Sequence, residues 1–162
     1  MRLPFEHKTA LEKEAELGPA LWRRKHKFTF VRNPWDKVVS HYHYRVQTDQ
    51  TGLGDGSLGF GDWVRAAYRD RDPRYYDQPR MFMPQWEWIC DHEGRSMVDF
   101  VGRFESLSDD FATLCEHLGI RAQLPHLKAS KRKEYAAYYE PETRTIVGEA
   151  FEEDIEHFGY EF

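Results

Sequence analysis

Two residues eight positions apart, Arg32 and Ser40, carry the most chemical information in the chain. They lie in the string Phe28-Thr29-Phe30-Val31-Arg32-Asn33-Pro34-Trp35-Asp36-Lys37-Val38-Val39-Ser40. The apolar run Phe28 to Val31 predicts a strand buried in a parallel sheet, covered on both faces. Such a strand delivers Arg32 to its carboxyl end, where ligands of parallel sheets bind. A helix follows at once, with Asn33 as N-cap and Pro34 at the first helical position. Free backbone N–H groups and the positive end of the dipole then favour an anion. A guanidinium fork, a hydroxyl and a helix N-terminus together suit a phosphate dianion. The competing reading is that Arg32 pairs with a carboxylate and Ser40 faces water.

Other groups are weaker signals. Lys128, Lys131, Arg132 and Lys133 put four cations within six positions of an acidic chain, which suits local anion attraction or a solvated charge run. Arg69, Arg71, Arg74 and Arg80 surround Tyr75 and Tyr76, a composition that could hold an acidic or sugar ligand or form an ordinary surface loop. Glu105 follows the second predicted strand, where an ion pair with Arg103 or a cap competes with a catalytic role. His41 and His43 are two apart on a helix and face different ways, and no metal-ligand spacing exists elsewhere. No metal site is expected.

The elements that must position these groups can be read from capping and periodicity. Thr9 to Leu17 predicts a short helix, with Thr9 as N-cap, Glu12 as capping-box partner and Gly18 as the stop. Trp35, Val38, Val39, Tyr42 and Val46 form the buried face of the helix after Pro34. Gln47 to Gly61, rich in glycine, predicts a flexible surface loop. Asp62 caps a helix to about Arg69, and Asp70 to Pro84 forms a long loop. A second buried strand covers Val98 to Phe104, then a helix from Ser106 stops at Gly119. A basic loop runs from Leu124 to Tyr135. Pro141 opens a helix to about Ala150, and a last helix ends at Gly159. Strands alternating with helices indicate an α/β layered domain with a parallel sheet flanked by helices.

Composition sets the outer limits. The 162 residues carry 23 Lys+Arg against 28 Asp+Glu, a net charge of −5, which argues against a general nucleic-acid binder. With 11 Phe, 9 Tyr and 5 Trp the chain can bury enough ring area to order itself. No apolar run is long enough for a membrane span, and the first residues lack a signal-peptide core. Cys90 and Cys115 make no disulfide framework, so a reducing compartment is the default.

The string Phe30-Val31-Arg32-Asn33-Pro34-Trp35-Asp36-Lys37-Val38-Val39-Ser40-His41-Tyr42 resembles the 3′-phosphate-binding segment of sulfotransferases, in particular the carbohydrate type. Asp99-Phe100-Val101-Gly102-Arg103-Phe104-Glu105-Ser106-Leu107, Leu124-Pro125-His126-Leu127-Lys128 and Asp154-Ile155-Glu156-His157-Phe158-Gly159-Tyr160 resemble further stretches of that family, in its order. The resemblance implies a P-loop-NTPase-like sulfotransferase fold in one domain over residues 1–162. It implies 3′-phosphoadenosine 5′-phosphosulfate (PAPS) as donor, a carbohydrate-like acceptor and no metal. Arg32 and Ser40 match the pair that grips the donor's 3′-phosphate. Lys128, Ser130, Lys131, Arg132 and Tyr135 fall in the loop that closes over the nucleotide, and His7 lies where some relatives place a histidine near the acceptor.

Relatives begin with a strand and a glycine-bearing loop that holds the 5′-phosphosulfate. Residues 1–27 contain only Gly18, placed at a helix end, so the resemblance implies an N-terminally truncated domain. The run Phe28 to Val31 would then expose an apolar edge. Three readings remain open: an active sulfotransferase, a non-catalytic nucleotide-binding or scaffold module of the same fold, and a kinase-like enzyme. The residues present imply a cytoplasmic location, or the Golgi lumen if an amino-terminal anchor is missing. They leave the oligomeric state unknown.

Overall fold

The computed structural model describes residues 7–124 and 133–162. In chain order the regular elements are α1 (Ala10–Leu17), α2 (Pro19–Arg24), β1 (Phe28–Val31), α3 (Pro34–Gln47), α4 (Phe60–Val64), β2 (Phe100–Arg103), α5 (Leu107–Leu118), α6 (Pro141–Ala150) and α7 (Glu152–Phe158). Short 3₁₀ turns fill several of the connections. The result is an α/β arrangement whose chain divides into two compact units, residues 1–31 with 85–124 and residues 32–84 with 125–162.

In the first unit, β1 and β2 form a parallel pair in the register Phe28↔Phe100, Thr29↔Val101, Phe30↔Gly102 and Val31↔Arg103. Asp99 fixes that register. Its carboxylate accepts from the Lys27 backbone N–H at 2.8 Å and pairs with Lys27 Nζ at 2.8 Å. Those Lys27 hydrogen bonds hold the Asp99 carboxyl below the usual carboxylate range. Phe30 lies over Gly102 so closely that no larger residue fits without moving the ring. The capping box at α1 is as the spacing requires: Thr9 Oγ1 accepts from Glu12 N at 3.2 Å, and Glu12 accepts from Thr9 N at 2.8 Å. Gly18 ends α1 at φ +79°.

The strands are less buried than their composition predicts. Val31 is 2% exposed, but Phe28 is 50% and Val101 37% exposed. Among the described residues each strand has one sheet neighbour, so one edge of β1 stays unpaired. A cavity of about 510 Å³ runs along β1, walled by Trp22, His26, Lys27, Trp88 and Val98 among others.

In the second unit, α3 is the central element. Asn33 caps it, Pro34 occupies its first position, and Trp35, Val38 and Val39 are buried against Phe60, Trp63, Val147 and Phe151. Tyr42 and Val46 pack on the same cluster, as the helical spacing predicts. Two boundaries differ from expectation. The stretch after Gln47 folds into a 3₁₀ turn over Gln50–Asp55 that drives Leu53 into the core at 1% exposure, because one apolar side chain can anchor a glycine-rich turn. The next helix starts at Phe60 with Gly59 as N-cap, and a π turn over Arg65–Arg69 carries it on. Asp62 therefore sits inside the first turn, where its carboxylate pairs with Arg65 at 3.0 Å.

Arg45 is fully buried on α3 and donates through Nη2 to Asp77 Oδ1 at 2.6 Å. Its Nε and Nη1 atoms are buried without a hydrogen-bond partner. Breaking such a pair strands a charge, whereas replacing both members by apolar groups relieves it. Asp77→Ala is expected to destabilise the protein by about 3 kcal/mol, and Arg45→Met with Asp77→Leu by clearly less. Urea unfolding of the two variants checks this, and equal losses would contradict it.

Candidate functional site

The start of α3 sets the geometry of the site. The strand ends at Val31 and Arg32 follows, so its side chain starts at the first turn of the helix. There Arg32 Nε donates to Asp36 Oδ2 at 2.5 Å, with the two side chains 19% and 16% exposed. Asp36 and Ser40 are four apart on α3 and share a face. Arg32 lies before the N-cap of α3 and meets that face through Asp36. Arg32 and Ser40 are accessible, Ser40 being half-buried.

The backbone does not contribute as the sequence suggests. Asn33 Oδ1 accepts from Trp35 N at 3.0 Å and Asp36 N at 3.4 Å, and Lys37 N donates to Asn33 O at 2.8 Å. Pro34 has no N–H, so the first-turn donors expected to be free are occupied. The capping residue itself takes them. Asn33 is in turn held through Nδ2 on Glu161 O at 2.8 Å. The first-turn amides are therefore not available to an anion at this helix start.

Arg32 thus pairs with a carboxylate, as the competing reading had it; the sequence did not name Asp36, whose four-residue spacing was the signal. Nor did it name buried Arg45, whose signal is its place seven residues after Val38 on the apolar face. Lys37 points elsewhere: its Nζ donates to Met83 O at 2.9 Å and lies 4.4 Å from the Phe151 ring centre.

The remaining predicted residues are dispersed. Ser130, Lys131 and Arg132, with Lys128, lie outside the described residues. Tyr135 opens a 3₁₀ turn and packs edge-on to Phe162 at 5.7 Å between ring centres. His7, in the first unit, is exposed and meets Trp88 edge-on at 6.2 Å. Glu105 is exposed in a 3₁₀ turn and does not cap α5. His41 packs between Trp63 and Phe82, at 5.4 and 5.0 Å between ring centres. Among the described residues no cluster of His, Cys, Asp or Glu could hold a metal, and no helix is long and apolar enough to cross a membrane.

The sulfotransferase family model matches residues 6–161, nearly the whole chain, with the Arg32–Ser40 helix inside the match. The chain belongs to the sulfotransferase family. It is also 31% identical over 98 residues to an uncharacterised protein of Archaeoglobus fulgidus, covering 60% of this chain and 70% of that protein. No solved structure matches it.

His41 gives the second unit a pH signature. Burial first, then the charges of Arg45 and Lys37, push its imidazole down from 6.5 to about 4. The folded protein therefore keeps His41 neutral where the unfolded chain takes up a proton. Its stabilising contribution is complete above pH about 6.5 and is lost as the pH falls toward about 4. Denaturant midpoints should fall over that window, and less steeply in His41→Phe; identical slopes would rule His41 out as the source.

Proposed function

We propose that this sulfotransferase transfers a sulfuryl group from PAPS to a hydroxyl of a carbohydrate-like acceptor, and that Arg32 and Ser40 bind the 3′-phosphate of the donor. The reading is carried by one observation, the guanidinium of Arg32 fixed by Asp36 on the helical face that bears Ser40. A planar fork held in place loses less freedom when it meets a phosphate. The serine hydroxyl adds a second donor, and the amino end of α3 favours the negative charge.

In the reaction the acceptor oxygen bonds to sulfur as the bond between sulfur and the bridging phosphate oxygen breaks. The acceptor proton passes to a base, and 3′,5′-adenosine bisphosphate leaves. Catalysis of this kind is mostly positioning and neutralisation of developing charge. The Arg32 site anchors the end of the nucleotide remote from sulfur, so it contributes binding and registration rather than bond making. His7 is the proposed base, and Ser130, Lys131, Arg132 and Tyr135 are the proposed nucleotide-covering residues.

A second reading, a nucleotide-binding module without turnover, is favoured by one feature. Gly18, the sole glycine upstream of β1, ends α1 at φ +79° and among the described residues follows no strand. Titration with 3′,5′-adenosine bisphosphate, followed by transfer of labelled sulfate from PAPS to a sugar panel, separates the two. Binding with transfer supports the enzyme, and binding alone supports the module. Arg32→Ala is expected to weaken the bisphosphate by about 2–3 kcal/mol, the scale of a charge-assisted contact. An unchanged dissociation constant would remove the assignment.

A further inference from the structure

The Asn33 side chain bonds in two directions, and only one of them is needed to cap a helix. Its Oδ1 accepts from Trp35 N at 3.0 Å and from Asp36 N at 3.4 Å, which closes the first turn of α3. Its Nδ2 donates to Glu161 O at 2.8 Å, across 128 positions of sequence. This second bond decides which way the carboxamide faces. Turned over, the group would present N–H donors to the helix amides and the cap would be lost.

Glu161 is held in place by the ring that follows it. Gly159 turns the chain out of α7 at φ +64°, and Tyr160 is buried. Phe162 meets Trp35 edge-on at 5.4 Å, Tyr139 at 5.5 Å and Tyr135 at 5.7 Å between ring centres. The Arg144 guanidinium lies 4.2 Å from the centre of the same ring. Two of these neighbours also grip the start of α3: Trp35 Nε1 donates to Arg144 O at 3.0 Å, and the Tyr139 hydroxyl donates to Trp35 O at 2.9 Å. Edge-to-face contacts set the position and tilt of a ring as well as burying it. An aliphatic side chain of similar size would fill the space without those directions.

Asp36 carries the effect to Arg32. Its backbone N–H lies under the Asn33 cap, and its carboxylate accepts from Arg32 Nε at 2.5 Å. We infer that Glu161 and Phe162 position the Arg32 guanidinium, through the Asn33 carboxamide and Asp36, and thereby set the affinity of the 3′-phosphate site. They are positioning residues, acting on the guanidinium through other groups. The coupling itself stands on packing and hydrogen bonds, and its effect on the nucleotide rests on the donor reading. Phe162 packs at the margin of a core centred on Val38, Val39, Trp63 and Phe151, so its loss is expected to lower the melting temperature and leave the fold.

Proton exchange at Arg32 Nε in the ¹⁵N-labelled full chain, its signal assigned by its loss in Arg32→Ala, tests the coupling without a ligand. Phe162→Ala and Asn33→Ser are each expected to speed that exchange. Asn33→Ser keeps a capping oxygen and removes the donor to Glu161. Each is also expected to weaken 3′,5′-adenosine bisphosphate about fivefold, the scale of coupling within one hydrogen-bonded network. The double variant should lose no more than either single one, because both cut the same path. Phe162→Tyr, which keeps the ring, should restore the parent values. A single cooperative melt confirms that each variant is folded, and Phe162→Leu carries the same test should Phe162→Ala fail to fold.

Unchanged Arg32 exchange in the single variants, or losses that add in the double variant, overturns the coupling. So does faster exchange with unaltered affinity in a parent that binds the bisphosphate. Failure of the donor reading is seen separately. If exchange speeds up while the bisphosphate binds neither parent nor variants, the coupling stands and the donor site falls. If the bisphosphate binds through Arg32 and both single variants match the parent, the donor site stands and the coupling falls.

Discussion

Asp36 and Arg32, 2.5 Å apart at the amino end of α3, set the terms on which this protein can meet an anion. The aspartate is costly there in one respect, since its charge repels a phosphate. It also removes the freedom of the longest side chain in the site and aims it along the face that bears Ser40. Asn33 occupies the first-turn amides, so the site has little backbone contribution to fall back on. Under the proposed donor site, recognition depends on how well a single ion pair holds one guanidinium.

That pair is stiff because α3 is. Trp35, Val38 and Val39 bury one side of the helix, Trp35 Nε1 donates to Arg144 O at 3.0 Å, and Tyr139 donates to the Trp35 carbonyl at 2.9 Å. The carboxyl-terminal segment returns to the same place, where Glu161 O holds Asn33 and Phe162 meets the Trp35 ring at 5.4 Å between centres. Residues more than a hundred positions apart thus fix the start of one helix. A change in the last residues of the chain reaches the site through packing, without touching a ligand.

Charge is used in three ways in this chain. Exposed networks such as Arg65 with Glu140 and Glu142 join α4 and its π turn to α6, and contribute little each in water. Buried Arg45 with Asp77 fixes a loop at the cost of donors left without partners. Arg71 and Arg74 lie over the rings of Tyr76 and Tyr75, with the Asp72 carboxylate on the Arg74 backbone N–H and Asp55 within electrostatic reach of Arg74.

The local signals were strong enough to determine the starts and stops of most helices from sequence: the Thr9–Glu12 capping box, the Asn33-Pro34 entry into α3, Gly119 and Gly159 as terminators. They were also enough to place Arg32 and Ser40 at a strand-to-helix junction, since that depends on neighbours within one turn. What lay beyond them was decided by partners distant along the chain. Spacing could not reveal that Asn33 would use up the amides offered to an anion, that Leu53 would fill the core from a glycine-rich stretch, or that Arg45 would be buried against Asp77. Nor could it show that Phe28 would stay half uncovered beside a cavity. Capping and periodicity act over three or four residues, whereas occupancy of a hydrogen-bonding group and exposure of a ring are settled only when the rest of the chain has packed around them.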